Sequence, residues 1–328
     1  PLKVAIVGAS GIGKNHASWF KRHGCDVSAF LGSSPDSVAA TQGMLEQLMG
    51  FEGRGYHDLD ELLKIERPDA VCISTPPPLH YEQALKCLVA GAHVLCEKPL
   101  VYDAALPDHR LINEAQTLVH EAAARGLLLG TQMQYGVAVD KVLELAGVAP
   151  HEVREFSMEM ETKNLRVGRD YEKIWIDLSP HPLSVLQKMA PSVSGAPAVE
   201  LNAATIDCQI GQYESTARFQ VNLLHNTHRE PVEAGVIVRF NPDRPTPLRR
   251  FIINGQHVDY TGRKNADGQF KTFLTAGDTT LELPDFVDLL IANFIAACDQ
   301  REPLKVTGAD GAQNVEWQLT ILEQGKRV

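Results

Sequence analysis

Up to about residue 130 the chain alternates short, continuous apolar runs with longer segments whose apolar positions recur at helical spacing. The runs are KVAIVG (3–8), DVSAFLG (26–32), DAVCIST (69–75), HVLCE (93–97) and LLLGTQM (127–133). Helical patterns fall near 13–23, 35–48, 59–65, 78–90 and 104–125. A strand that is apolar on both faces must be covered on both. This order therefore predicts a parallel sheet wrapped by helices, a Rossmann-type doubly wound α/β domain.

After about residue 150 the period changes to two. Tyr213, Ser215, Ala217, Phe219 and Val221 point one way, and Gln212, Glu214, Thr216, Arg218, Gln220 and Asn222 point the other. The segments EFSMEME (155–161) and VEAGVIVRF (232–240) alternate similarly. Strands with one apolar and one polar face belong to an open, largely antiparallel sheet. Helices near 177–189, 284–299 and 308–325 are expected to cover the apolar face, giving an α+β domain. The expected division is 1–133 for the first domain and 134–328 for the second.

Composition narrows the function. A formal net charge of −10, with no block of Lys and Arg, argues against a nucleic-acid partner. No apolar run is long enough to span a bilayer, and the first residues read as a strand rather than a signal peptide. None of the six cysteines (Cys25, Cys72, Cys87, Cys96, Cys208 and Cys298) sits in a C-x-x-C pair. They read as reduced thiols of a cytoplasmic protein. His225 and His228 lack a Cys or acidic partner at ligand spacing, so no metal site is expected.

The stretch VGASGIGKNH (7–16) joins the first strand to the first helix. Gly8, Gly11 and Gly13 have the spacing G-x-x-G-x-G, with Ser10 in the middle place of a G-x-G-x-x-G reading. A strand before and a helix after make Gly8, Ser10, Gly11, Ile12 and Gly13 a candidate cradle for a dinucleotide pyrophosphate. At the end of the second strand, a carboxylate would bind the adenosine ribose. The chain instead reads Gly32, Ser33, Ser34. The missing acid removes repulsion against a 2′-phosphate, and the two serines can donate to it, so NADP is favoured over NAD. In an open α/β sheet, ligands bind beyond the carboxyl ends of the strands. Ser74, Thr75, Pro76, Pro77 and His80 follow one such end, and Glu97 and Lys98 another. A Glu-Lys pair closing an apolar strand costs desolvation unless it meets a cleft or a ligand.

These segments resemble the family of glucose–fructose oxidoreductase and inositol dehydrogenase, the Gfo/Idh/MocA-type oxidoreductases, over essentially the whole chain. The glycine loop, STPPPLH (74–80), EKP (97–99) after AGAHVLC, the D-x-x-x-H of WIDLSPHPLSV and the closing FIAACDQREPLKVTGADGAQ carry the likeness. The resemblance implies hydride transfer between a nicotinamide and a sugar, polyol or related secondary alcohol, with Lys98 near the reacting oxygen. It implies roles for Asp177 and His181, and contacts from Gln134, Tyr135, Lys163, Asn164 and Trp175. It also suggests a cis bond before Pro99. Asp177 is expected in the first turn of its helix with His181 one turn later. Histidine titrates near neutrality and suits general acid/base work. Lys98 would stabilise alkoxide charge and could share the proton, so the ultimate base is either Lys98 or His181, and Asp177 would orient the hydroxyl and counter the Lys98 charge. Relatives often join through the open face of the second sheet. Here that face would carry Glu155, Glu159, Glu161, Glu214, Arg218, Glu233 and Arg239, so a large hydrophobic interface is not expected there. A homo-oligomer would use a wet, ion-paired face or another surface, and a monomer stays open. Two alternatives also stand: a non-catalytic sensor of a dinucleotide or sugar, and a reductase of a non-sugar carbonyl or imine.

Overall fold

The structure, a computed structural model, describes residues 1–163, 172–224 and 230–328. The chain forms two compact units. The first comprises Pro1–Gln132 and Val287–Val315, the second Met133–Phe286 and Glu316–Val328.

In the first unit, six strands make one all-parallel sheet: β1 (Lys3–Val7), β2 (Asp26–Leu31), β3 (Arg54–Tyr56), β4 (Ala70–Ile73), β5 (His93–Glu97) and β6 (Leu129–Gln132). Their order is β3-β2-β1-β4-β5-β6. The connecting helices are α1 (Gly13–Arg22), α2 (Pro35–Met49), α3 (Leu59–Glu66), α4 (His80–Val89) and α5 (Asp108–Ala124). Val4–Val7 of β1 and all of β4 are buried, as continuous apolar strands covered on both faces must be. Strand order reverses between β1 and β4, so the loops after these strands diverge and leave a crevice at their carboxyl ends. β3 was not expected: RGY is too short to register as an apolar run.

In the second unit, α6 (Val139–Ala146) precedes β7 (Glu155–Thr162), α7 (Lys173–Leu178) and α8 (Pro180–Gln187). The strands β8 (Val199–Ile210), β9 (Glu214–Leu223), β10 (Val232–Phe240), β11 (Arg249–Ile253), β12 (Gln256–Lys264), β13 (Phe270–Ala276), β14 (Thr279–Pro284) and β15 (Lys326–Arg327) complete a nine-stranded sheet. The order is β14-β13-β12-β11-β7-β10-β9-β8-β15, antiparallel except for the β7–β10 and β8–β15 pairs. Phe156, Met158, Ala217, Phe219, Val236 and Phe251 fill its buried face, and α7 and α8 pack there.

Three expectations need correction. The helix α9 (Phe286–Cys298) groups, after Phe286, with the first unit rather than the second. There Phe294 meets Phe20 of α1 edge-on at 6.3 Å. The last long helix, α10 (Gly308–Gln324), is shared, its residues to Val315 lying in the first unit. Second, Tyr213 leaves the apolar set: it precedes β9 and is 54% exposed. Third, Glu161 is only 2% exposed, so it is not on an open polar face. Other charges expected there pair across strands. Arg239 reaches Glu214 at 3.0 Å and Glu159 at 3.6 Å, and Gln220 donates to Glu233 at 2.6 Å. All six cysteines are free thiols. Among the described residues, no helix is long and apolar enough to cross a membrane.

Candidate functional site

The loop after β1 is built by close approach. Gly8 has φ +85°, and a Cβ there would fall 2.8 Å from Thr75 Cγ2 and 2.9 Å from the Ser74 carbonyl carbon. A Cβ on Gly13 would fall 2.0 Å from the Gly8 carbonyl oxygen. These two glycines are therefore required by the turn itself and by its packing on the end of β4. Gly11 differs: it is exposed and nothing lies within 4 Å of its Cβ direction. The turn does not need a glycine there, but a ligand approaching the backbone would. Helix α1 starts beside it with Ile12 as N-cap, no side-chain cap and no acid in its first turn. Ser10 and Ile12 are exposed on either side. An uncapped helix end with an open cradle fits a pyrophosphate by charge and by space.

The next strand ends gather around the same loop. Ser74 Oγ lies 2.9 Å from Nδ1 of His16, a residue of α1 that is fully buried. His16 Nε2 lies 3.4 Å from Oε1 of Glu97 at the end of β5. The other oxygen of Glu97, Oε2, accepts the backbone N–H of Lys98 at 3.2 Å. Burial lowers the pKa of His16 to about 4, so the ring is neutral near pH 7. Lys98 is half-buried, and its peptide bond to Pro99 is cis, as the resemblance suggested. Thr75 donates its hydroxyl to Gln83 Oε1 at 2.5 Å. His80 is buried between two backbone carbonyls, those of Pro99 at 2.9 Å and Thr75 at 2.8 Å. It ties the loop after β4 to the loop after β5. Pro76 is exposed, and Pro77 opens a 3₁₀ turn leading into α4. At the end of β2, Ser34 caps α2 by accepting the Ser37 N–H at 3.2 Å, while Ser33 is exposed.

In the second unit, the D-x-x-x-H segment is not one helix starting at Asp177. α7 begins at Lys173, so exposed Asp177 stands in its last turn, and the helix breaks at Ser179 before α8. His181 is in the first turn of α8 and is 7% exposed. Its ring stacks edge-on against Tyr135 at 4.9 Å. Tyr135 in turn packs on Tyr260 at 5.4 Å and accepts a hydrogen bond from Arg249 Nε at 3.2 Å. Gln134, just before Tyr135, is half-buried. Trp175 is fully buried, and its indole donates to the Gln318 carbonyl at 3.1 Å. Gln318 returns hydrogen bonds to the Ile176 carbonyl and Ser179 Oγ, both at 2.9 Å. Trp175 thus anchors the α7–α8 break within the unit's interior. Lys163 is exposed and donates to the Pro245 carbonyl at 3.2 Å. Asn164, His225 and His228 lie outside the described residues.

Sequence reasoning missed two groups. His16 was visible as the one titratable residue on the inner stripe Gly13, His16, Ala17, Phe20 of α1. Glu161, Arg239, Arg244 and Arg249 carried no local signal, because their contacts join β7 to β10, β11 and the loop between them. The Glu161 carboxyl is raised by burial, but hydrogen bonds from Arg239 and Arg244 outweigh this and hold it below its usual range. Among the described residues, no group of three or more His, Cys, Asp or Glu is placed to hold a metal ion.

Sheet order, glycine loop and uncapped helix end together define the first unit as a dinucleotide-binding Rossmann fold. Residues 2–133 match the family model described as an oxidoreductase family, NAD-binding Rossmann fold. Inositol 2-dehydrogenase of Arthrobacter sp. (strain FB24) is 26% identical over 218 residues, 65% of this chain and 61% of the relative's own length. Among solved structures, UDP-N-acetylglucosamine 3-dehydrogenase from Acidithiobacillus ferrooxidans aligns with TM-score 0.71 at 19% identity, covering 99% of this chain and 97% of its own. Scyllo-inositol dehydrogenase from Lactobacillus casei, with NAD(H) and scyllo-inositol bound, gives 0.69 at 14% identity, covering 99% and 96%. At these identities the structural likeness is one of fold.

Proposed function

We propose that the protein is a nicotinamide-dependent dehydrogenase or reductase acting on a sugar, polyol or related secondary alcohol/ketone pair. The observation that carries this reading is the convergence of the Gly8–Gly13 loop, Ser74–Thr75 and Glu97–Lys98 at the carboxyl ends of β1, β4 and β5. The family match and the alcohol dehydrogenases among the relatives support it. A bound nicotinamide supplies the hydride donor or acceptor. Gly11 and the first turn of α1 hold the pyrophosphate by backbone N–H groups. Nζ of Lys98 hydrogen-bonds the reacting oxygen and stabilises alkoxide charge as it develops. His181 takes and returns the hydroxyl proton at an imidazole nitrogen, and Asp177 orients the hydroxyl. Gln134, Tyr135 and Lys163 contribute to substrate contact.

NADP is the favoured cofactor. Ser34 uses an oxygen lone pair as the α2 cap and keeps its hydroxyl proton for a phosphate. Ser33 is exposed beside it, and no carboxylate closes β2. Side-by-side fluorescence titration with NADPH and NADH tests both points, with tighter binding of NADPH expected. Binding of neither by folded protein would end the oxidoreductase reading. The Lys98→Ala variant is expected to keep dinucleotide binding and to turn over below about a tenth of the wild-type rate in a sugar and polyol screen. A higher residual rate would remove Lys98 from the mechanism.

A further inference from the structure

The first unit holds a buried titratable ring that the proposed mechanism does not use. We propose that His16 is a positioning residue: it fixes the carboxylate of Glu97 and, through it, the backbone of Lys98, and so links the helix of the glycine loop to the reacting group. The inference rests on the reading of Lys98 as the residue at the reacting oxygen.

Proton bookkeeping around the ring gives the argument. His16 is fully buried, and its polar neighbours are Ser74 Oγ at 2.9 Å and Cys72 Sγ at 3.5 Å, both from Nδ1, and Glu97 Oε1 at 3.4 Å from Nε2, within reach of electrostatic attraction but not aligned as a hydrogen bond, so that Nε2 is a buried nitrogen whose one facing acceptor is this carboxylate. A neutral imidazole has one N–H and one lone pair. An ionised carboxylate can only accept, so Nε2 carries the proton and aims it at Glu97. Nδ1 then presents its lone pair, and Ser74 must donate to it. The opposite tautomer would set a lone pair against a carboxylate in a buried place, which costs more than the hydrogen bond it would gain. Glu97 is therefore approached from two sides, by the electrostatic attraction of the ring on Oε1 and by the Lys98 N–H hydrogen bond on Oε2. Ser74, whose Cβ lies 3.3 Å from where a Gly13 side chain would start, brings the glycine loop into the same chain of contacts. One ring thus links α1, β4 and β5 at their functional ends, and a shift of the loop is transmitted through it towards Lys98.

Three substitutions separate the links. His16→Leu removes both nitrogens while keeping an apolar filler. His16→Asn restores a polar atom near the Nδ1 position, and His16→Gln one near the Nε2 position. With rates normalised to bound NADPH, the Leu and Asn variants are expected to lose about tenfold in kcat. The Gln variant is expected to recover most of it. Dinucleotide Kd is expected to stay within about threefold throughout, since the pyrophosphate cradle does not include the ring. A purely structural role would lower the fraction of binding-competent protein and leave kcat per site unchanged; that result overturns the proposal. A second readout needs no variant and no substrate: ¹⁵N-detected NMR of the wild-type ring is expected to show Nε2–H and bare Nδ1. The Nδ1–H tautomer would overturn the proposal by itself. If Lys98→Ala keeps its rate, the mechanism falls, while the NMR result still decides whether His16 holds Glu97.

Discussion

In the first unit a buried imidazole is held neutral; in the second a buried carboxylate is held charged. His16 has one carboxylate at 3.4 Å and otherwise weakly polar neighbours, so desolvation wins and its pKa falls to about 4. Glu161 is buried to a similar degree but takes guanidinium hydrogen bonds from Arg239 and Arg244, with Arg239 Nη1 at 2.8 Å. Two strong donors outweigh the desolvation that one distant partner cannot. The difference is one of reach: Arg239 lies directly across from Glu161 in the β10–β7 register, and the loop bearing Arg244 follows β10. The first cluster therefore suits transmission of position through a neutral group, and the second suits holding a strand end in place.

Both clusters lose stability in acid, in different windows. The folded pKa of His16 is depressed below its ordinary 6.5, so its contribution is complete above that value and is lost as pH falls from 6.5 towards about 4. The folded pKa of Glu161 is depressed below 4.5, so its contribution is complete above 4.5 and is lost only at lower pH. The largest expected effect is from Glu161→Ala. It takes this carboxylate from Arg244 and Arg239, though Arg239 keeps Glu214 and Glu159, and should cost about 2–3 kcal/mol at neutral pH, less than a fully buried pair because both guanidiniums are partly solvated. Urea unfolding measures it, and a cost below about 1 kcal/mol would erase the contrast between the clusters. Next comes His16→Leu: between neutrality and about pH 5 it should lose about 2 kcal/mol less than wild type, because no ring must stay unprotonated. Equal acid sensitivity in both proteins would mean the ring is charged in the fold. The smallest effect is a control on the exposed side of the same sheet. Arg250 pairs with Asp259 at 2.7 Å, but both are substantially solvated. Arg250→Ala should therefore cost under about 1 kcal/mol, and less in high salt.

The sequence showed most of the first unit because its strands are apolar without interruption, and such runs have few other uses. RGY at 54–56 was invisible because three residues make no pattern. In the second unit, alternation exposed β7, β9 and β10, but β12 reads QHVDYTGRK and buries only Val258 fully, so it has no period to find. The resemblance paired Asp177 with His181 on one helix, yet the helix breaks between them at Ser179, before Pro180, and the break is hydrogen-bonded by Gln318, 139 residues further on. Glu161 lay on the outward register of β7, and its burial comes from Arg244 and Arg239 reaching it from elsewhere in the chain. Likewise, the meaning of His16 rests on Ser74, 58 residues away. Local pattern marks which faces are buried; it does not say which distant groups arrive there.

The edge-on contact of Phe20 with Phe294 has a consequence for biosynthesis. Phe20 belongs to the helix that follows the glycine loop, and Phe294 to a segment translated only after Met133–Phe286. All six strands of the parallel sheet are translated before Met133, while the piece that seals the back of α1 follows only after Phe286. During that interval the nascent first unit carries an uncovered aromatic surface, a natural substrate for chaperones. If that first unit binds a dinucleotide, its affinity should mature only once the segment bearing Phe294 has been made, well after the glycine loop itself.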